Sequence, residues 1–143
     1  MLLAIGLING FLIEVMPLAR LALSAHLVGL MGSAFLIALG AAWPALALTG
    51  RASRWAALAA LYGFCGGWMI YFFAAATGAG GMFPLASGGV RGSSLLEAVV
   101  GIALLSVAFA LLGFCGIVLT RMGRADEQVV DSRRHAHTTA EAE

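Results

Sequence analysis

Leu21-Ala22-Leu23-Ser24-Ala25-His26-Leu27-Val28-Gly29-Leu30 opens an apolar run that reaches Leu48 without one Asp, Glu, Lys or Arg. A helix needs roughly 20 apolar residues to cross the hydrocarbon core of a bilayer, and this run is long enough. Backbone groups in lipid must pair within their own segment, so a run of this length without strand-like alternation reads as a helix. Three further runs accompany it, giving expected spans at about 1–16, 21–48, 55–77 and 95–119. The first is short, with Glu14 and Pro17 at its outer end.

Composition agrees. Of 143 residues, 62% are hydrophobic and 10% charged, against about 25% charged in a soluble domain. Mean hydropathy is +0.99. Seven acids and eight bases cannot cover a water-facing surface. The expected fold class is therefore all-α, an integral membrane four-helix bundle over residues 1–121. Most of the charge falls in residues 122–143, read as a disordered, solvated tail. A net charge of +1 gives no reason to expect nucleic acid as a partner.

Arg51 and Arg54 share a side with Arg121, Arg124, Arg133 and Arg134, while Arg20 and Arg91 fall on the other. This bias places both termini in the cytoplasm, with the chain in a bacterial inner membrane. The stretch 49–54 reads as a short polar turn. Residues 78–93 form a longer glycine-rich loop with Pro84, and Ser94-Leu95-Leu96-Glu97 matches a capping box for the last helix. Cys65 and Cys115 sit within apolar runs without CxxC spacing and read as small hydrophobes.

Polar groups inside the spans are few: Asn9, Glu14, His26, Ser33, Tyr62, Tyr71, Thr77 and Ser106. They contain no Ser-His-Asp set, no paired carboxylates and no His/Cys cluster with metal spacing, which argues against hydrolytic and nucleotide-dependent chemistry. His26 stands out. An imidazole against a bilayer core is costly unless it lines a cavity, pairs or binds something, and imidazole is a common haem and metal ligand. It could equally bond a backbone carbonyl at the interface. His26, Gly29 and Ser33 share one helix face, with Gly32 about 120° away. In the third run Gly63, Gly67 and Tyr71 lie along one stripe, either a groove for a flat ligand ending in a phenol or a helix-packing seam. Gly6-xxx-Gly10, Gly29-xxx-Ser33 and Gly63-xxx-Gly67 allow close helix approach. His135 and His137 sit in the tail and are given no role.

These residues carry a family resemblance. The 23–29 stretch, Phe35 to Gly40 with Trp43, Leu61-Tyr62-Gly63 with Trp68, Met82-Phe83-Pro84-Leu85-Ala86, Glu97-Ala98 and Leu104-Leu105-Ser106-Val107 follow the order seen in the small membrane hydroxylaminobenzene mutases. Over about residues 6 to 119 the chain resembles them, and more distantly the styrene oxide isomerases, with which it shares the histidine and Tyr71-Phe72-Phe73. The resemblance implies a homotrimer of four-helix protomers. It also implies a haem b between protomers held by the histidine matching His26, with the ferric iron acting as Lewis acid on the substrate oxygen. Tyr71 would be the catalytic contact to a small aromatic substrate, and Gly32, Gly63 and Gly67 would line its pocket. The implied reactions are conversion of an aryl hydroxylamine to an aminophenol, or of an aryl epoxide to an aldehyde. Against that pattern, Gly32 and Gly67 stand where the family has asparagines, Val28 where the mutases commonly have glutamate, and the first run is shorter than the family's. Two other readings of the residues stay open: a haem-binding membrane protein without isomerase activity, and a cofactor-free structural or transport-associated membrane protein.

Overall fold

A computed structural model describes residues 1–140, with side chains described through Arg121. The described chain is all helix and loop: α1 (Leu2–Leu12), α2 (Ala19–Ala42), α3 (Gly50–Thr77), a single turn α4 (Pro84–Ser87) and α5 (Ser94–Ala140). Short 3-10 turns follow α1 at Ile13–Val15 and α2 at Trp43–Leu46.

The stops have local causes. Pro17 has no N–H to continue α1. Pro44 tightens the end of α2, where the Trp43 N–H bonds to Gly40 O. Gly78 ends α3 in the left-handed region at φ 74, and Ala79 N–H closes back on Ala74 O at 3.1 Å, the glycine-terminated helix end expected where no Cβ opposes that conformation.

Three segments, Ala19–Leu46, Gly50–Thr77 and Ser94–Arg121, are long and apolar enough to cross a membrane. The apolar helix at Leu2–Val15 is shorter; at 1.5 Å per residue it falls short of a ~30 Å core. The expected first span is thus a helix without full spanning length. Arg51 and Arg54 lie in the first turns of α3, because the turn between spans shrinks to residues 47–49. The α5 backbone is helical to Ala140, past residue 122 where the charged tail was expected to begin. From 124 to 140 no Gly or Pro interrupts it, and those residue types carry only modest helix penalties. The tail's last three residues, 141–143, lie outside the described residues.

The helices pack in chain order, α1 on α2, α2 on α3 and α3 on α5, so α1 and α5 stand at the two ends of a row. Against the expected four-helix bundle, the single chain forms an open row, with α5 leaning on α3 and the 43–46 turn. Leu21 apart, the buried positions of α2 and α3 are small: Ala22, Ala25, Gly29, Gly32, Ser33, Ala56, Ala60, Gly63, Gly67, Ala74 and Ala75. Leu27, Met31, Ile37, Leu58, Ile102, Leu105 and Phe109 point outward. That inversion suits a bilayer. Lipid tails solvate large apolar groups as well as protein does, so close backbone approach becomes the basis of helix association.

The 78–93 loop folds back over one end of the row. Ala79 joins Leu18, Leu21, Ala22, Ala74, Ala75 and Val100 in a buried cluster, with Tyr71, Phe83 and Ala86 packed against it. A second cluster, around Leu48, Ala56, Ala60 and Phe114, closes the other end.

Candidate active site

His26 lies where α1 crosses α2. Gly6 and Gly29 meet backbone to backbone there: a Cβ on Gly6 would stand 3.2 Å from the Gly29 carbonyl carbon. The close crossing brings the His26 Nδ1 to 2.8 Å from Gly6 O. A carbonyl oxygen can only accept, so Nδ1 carries the proton and donates it. Nε2 makes no hydrogen bond among the described residues, and in the neutral ring it is the nitrogen with the lone pair. Gly10, one turn beyond Gly6, completes the bed, since a Cβ at that position would lie 3.0 Å from two atoms of the imidazole. The bland alternative for His26, a hydrogen bond to a carbonyl, is therefore present. It coexists with a free ring nitrogen, the arrangement a metal-ligating histidine uses to fix its tautomer.

Asn9, only 1% exposed, donates from Nδ2 to Ala22 O at 3.2 Å. Its Oδ1 and the Trp68 Nε1 are buried without a partner among the described residues. Trp68 comes from α3 and lies edge-on to Gly29. It stacks on Phe72, with centroids 5.3 Å apart.

Tyr71 is placed differently. Its ring packs against Phe83 of the loop, with centroids 4.6 Å apart, and against the buried cluster at that end. His26 is held by α1, whereas Tyr71 packs on the loop and on the cluster of Leu21, Ala22, Ala74 and Ala75.

The three pocket glycines are occupied by neighbours. The space at Gly32 is taken by Phe64 and Leu2, at 3.3 and 3.6 Å from a Cβ built there. Gly63 faces Leu111, whose Cδ2 such a Cβ would run into, and Gly67 faces Val107 at 3.9 Å. Gly63 and Gly67 thus form the seam with α5. A groove of about 220 Å³ does open between α3 and α5, lined by Met69, Ile70, Phe73, Val99, Val100 and Ala103.

The capping box is replaced by another arrangement. Ser93 rather than Ser94 caps α5, its Oγ accepting the Leu96 N–H at 3.4 Å. Glu97 reaches into the loop and accepts the Gly81 N–H on both oxygens at 3.0 Å and the Gly92 N–H at 2.8 Å. Sequence reasoning also left Asn9, Gly6 and Gly10 without a site role. Their spacing of three and four residues, putting all three on one face of a short helix, was the available signal. No group of three His, Cys, Asp or Glu able to hold a metal ion occurs among the described residues.

The profile of the styrene oxide isomerase family matches residues 1–122. The chain belongs to that family. Like it, a hydroxylaminobenzene mutase, HabB of Ectopseudomonas oleovorans, is similar to the chain: 40% identical over 117 residues, covering 80% of this chain and 71% of the relative. No solved structure matches. Membership in the styrene oxide isomerase family, with three helices of spanning length, makes the protein a membrane isomerase. It also gives a context for an isolated imidazole amid apolar helices.

Proposed function

We propose that this isomerase rearranges an aryl hydroxylamine to an aminophenol, with an aryl epoxide to aldehyde rearrangement as the related second activity. The similarity to a hydroxylaminobenzene mutase puts the hydroxylamine first. We further propose that His26 is the axial ligand of a haem b and that the working unit is a homotrimer in the bacterial inner membrane with both termini cytoplasmic. The observation that carries the ligand assignment is the Nδ1–Gly6 O hydrogen bond, which leaves Nε2 as a fixed, unpartnered donor atom. The donor set fits the group, since one imidazole with an unpartnered ring nitrogen is a sufficient protein ligand for a haem iron.

When bound, the haem iron would supply a Lewis acid able to polarise the N–O or C–O oxygen of the substrate. The chain's own residues do the rest. Gly6 O holds the His26 ring in one tautomer and orientation, and Gly10 leaves room for it. The apolar surround keeps water away from a developing cation, so the migrating group is delivered within the molecule. Tyr71 offers a phenolic O–H for the substrate oxygen. Reactant and product are isomers, so no electron donor is consumed.

The test is the absorption spectrum and turnover of detergent-purified protein beside His26→Ala and Tyr71→Phe, with phenylhydroxylamine and styrene oxide and without reductant. A Soret band lost in His26→Ala, together with isomerisation lost in His26→Ala and slowed in Tyr71→Phe, is expected. Equal Soret intensity in wild type and His26→Ala would overturn the ligand assignment. Haem-replete protein that turns over neither substrate would overturn the reaction and leave a haem-binding protein.

A further inference from the structure

Glu97 is the one acid among the described residues that is spent entirely on a loop. Its carboxylate takes three close contacts from two backbone amides, Gly81 and Gly92, eleven positions apart in the sequence. Bonds from amides to an ionised carboxylate are stronger than neutral ones. The loop is shaped to allow this approach. A Cβ on Gly81 would lie 2.6 Å from Glu97 Oε2, and one on Gly92 would lie 3.1 Å from the Ala79 Cα. A Cβ on Gly80 would run into Ser87 and the Val90 carbonyl. These glycines are therefore needed for close contact, and the carboxylate is what the Gly81 amide closes on. Two residues beyond Gly81 stands Phe83, whose ring lies on Tyr71. The α4 turn that follows places Ala86 against the same buried cluster.

We propose that Glu97 is a positioning residue of the active site, pinning the 78–93 loop through Gly81 and Gly92 so that Phe83 sets the ring of Tyr71. This rests on the reading of Tyr71 as the substrate contact. Glu97 touches neither substrate nor iron. It acts on turnover through the orientation of a phenol, and small misplacements of an orienting group cost much more rate than binding.

The geometry separates the possible variants. Oε1 alone already accepts from both amides. Glu97→Gln can keep that oxygen in place while losing the charge and the second acceptor, so its defect is partial. Glu97→Ala removes the anchor altogether. Gly81→Ala attacks the same contact from the loop side and leaves the carboxylate in the protein, which covers the case in which Glu97→Ala fails to fold.

The experiment is hydrogen exchange of the 78–93 amides and steady-state turnover of phenylhydroxylamine by the full-length, haem-loaded protein. It covers wild type, Glu97→Gln, Glu97→Ala, Gly81→Ala, Tyr71→Phe and the Glu97→Gln/Tyr71→Phe double variant. Glu97→Gln is expected to speed loop exchange and lower kcat about 10-fold with KM changed less than about two-fold, and Glu97→Ala and Gly81→Ala to do more. Soret intensity should be unchanged in all, and Glu97→Gln should add no further loss in the Tyr71→Phe background. A merely structural carboxylate would lower Soret intensity with turnover, and its loss would multiply with that of Tyr71→Phe; either result overturns the proposal. Normal turnover in Glu97→Gln with Tyr71→Phe impaired overturns it and leaves the Tyr71 assignment standing. Normal turnover in Tyr71→Phe overturns both.

Discussion

Two glycine-lined helix crossings lie in this molecule, and they do opposite things. Between α1 and α2, Gly6 and Gly29 touch through their backbones, and the space they make is used by an imidazole resting on Gly10. Between α3 and α5, Gly63 and Gly67 take up the aliphatic side chains of Leu111 and Val107. A glycine every fourth residue says only that another helix can come close. What fills the space is set by the partner helix: backbone and a polar ring in the first case, branched side chains in the second. The first crossing is rigid because backbone cannot rotate aside. The second has rotamers to spare.

The largest effect is therefore expected from Gly6→Ala. Its Cβ would press on the Gly29 backbone at 3.2–3.3 Å, and the helices must separate, costing about 2 kcal/mol or more. The Gly6 carbonyl would move away from His26, so thermal stability and Soret intensity should fall together. Unchanged stability would show that α1 is not held by this contact.

Gly10→Ala comes next. A Cβ 3.0 Å from the imidazole displaces a side chain rather than backbone, so stability should drop by only about 1 kcal/mol. Haem occupancy and turnover should drop about 10-fold, reflecting a displaced ligand. A variant with full haem content would break the assignment of Gly10 to the His26 bed.

Gly63→Ala tests the other crossing. The Cβ meets Leu111 at Cγ as well as Cδ2, so that side chain must change rotamer; about 1 kcal/mol of stability is at risk and the spectrum should not change. Combining it with Leu111→Ala should restore part of the loss, measured by thermal unfolding in detergent.

Gly67→Ala should be smallest. Its nearest neighbour is 3.9 Å away, an ordinary contact, and exchanging Gly for Ala inside a helix gains about 1 kcal/mol in water. Stability equal to or above wild type, with an unchanged spectrum, is expected. A loss of activity here would place the substrate against α3 at this level and blur the distinction between the crossings.

The helical class was legible in the sequence, because runs such as 21–48 admit one solution in lipid; the exact bounds were less so, since α2 ends at Ala42 and α3 begins at Gly50. The loop was legible as a loop, yet its internal ties were not. Glu97 sits three residues after Ser94, a spacing that fits a capping box as well as it fits a reach to Gly81 and Gly92. Gly63, Gly67 and Tyr71 share a stripe by spacing, and only packing shows two of them turned to α5 and the third capped by Phe83. His26 was conspicuous by composition alone, whereas its bed on Gly6 and Gly10 depends on where a neighbouring helix crosses.

By itself the sequence determined that this chain is a membrane protein of apolar helices, because hydrocarbon leaves an unpaired backbone no alternative, and that His26 is its most exceptional side chain. Its residues also carried the family resemblance. The tertiary structure decided which glycine seam holds the imidazole, which ring nitrogen is left free and where the carboxylate of Glu97 is used. Those depend on the crossing and rotation of helices, fixed by side-chain and backbone contacts between residues distant in sequence. Spacing along one helix says which residues share a face, and only the neighbouring helix gives that face its chemistry.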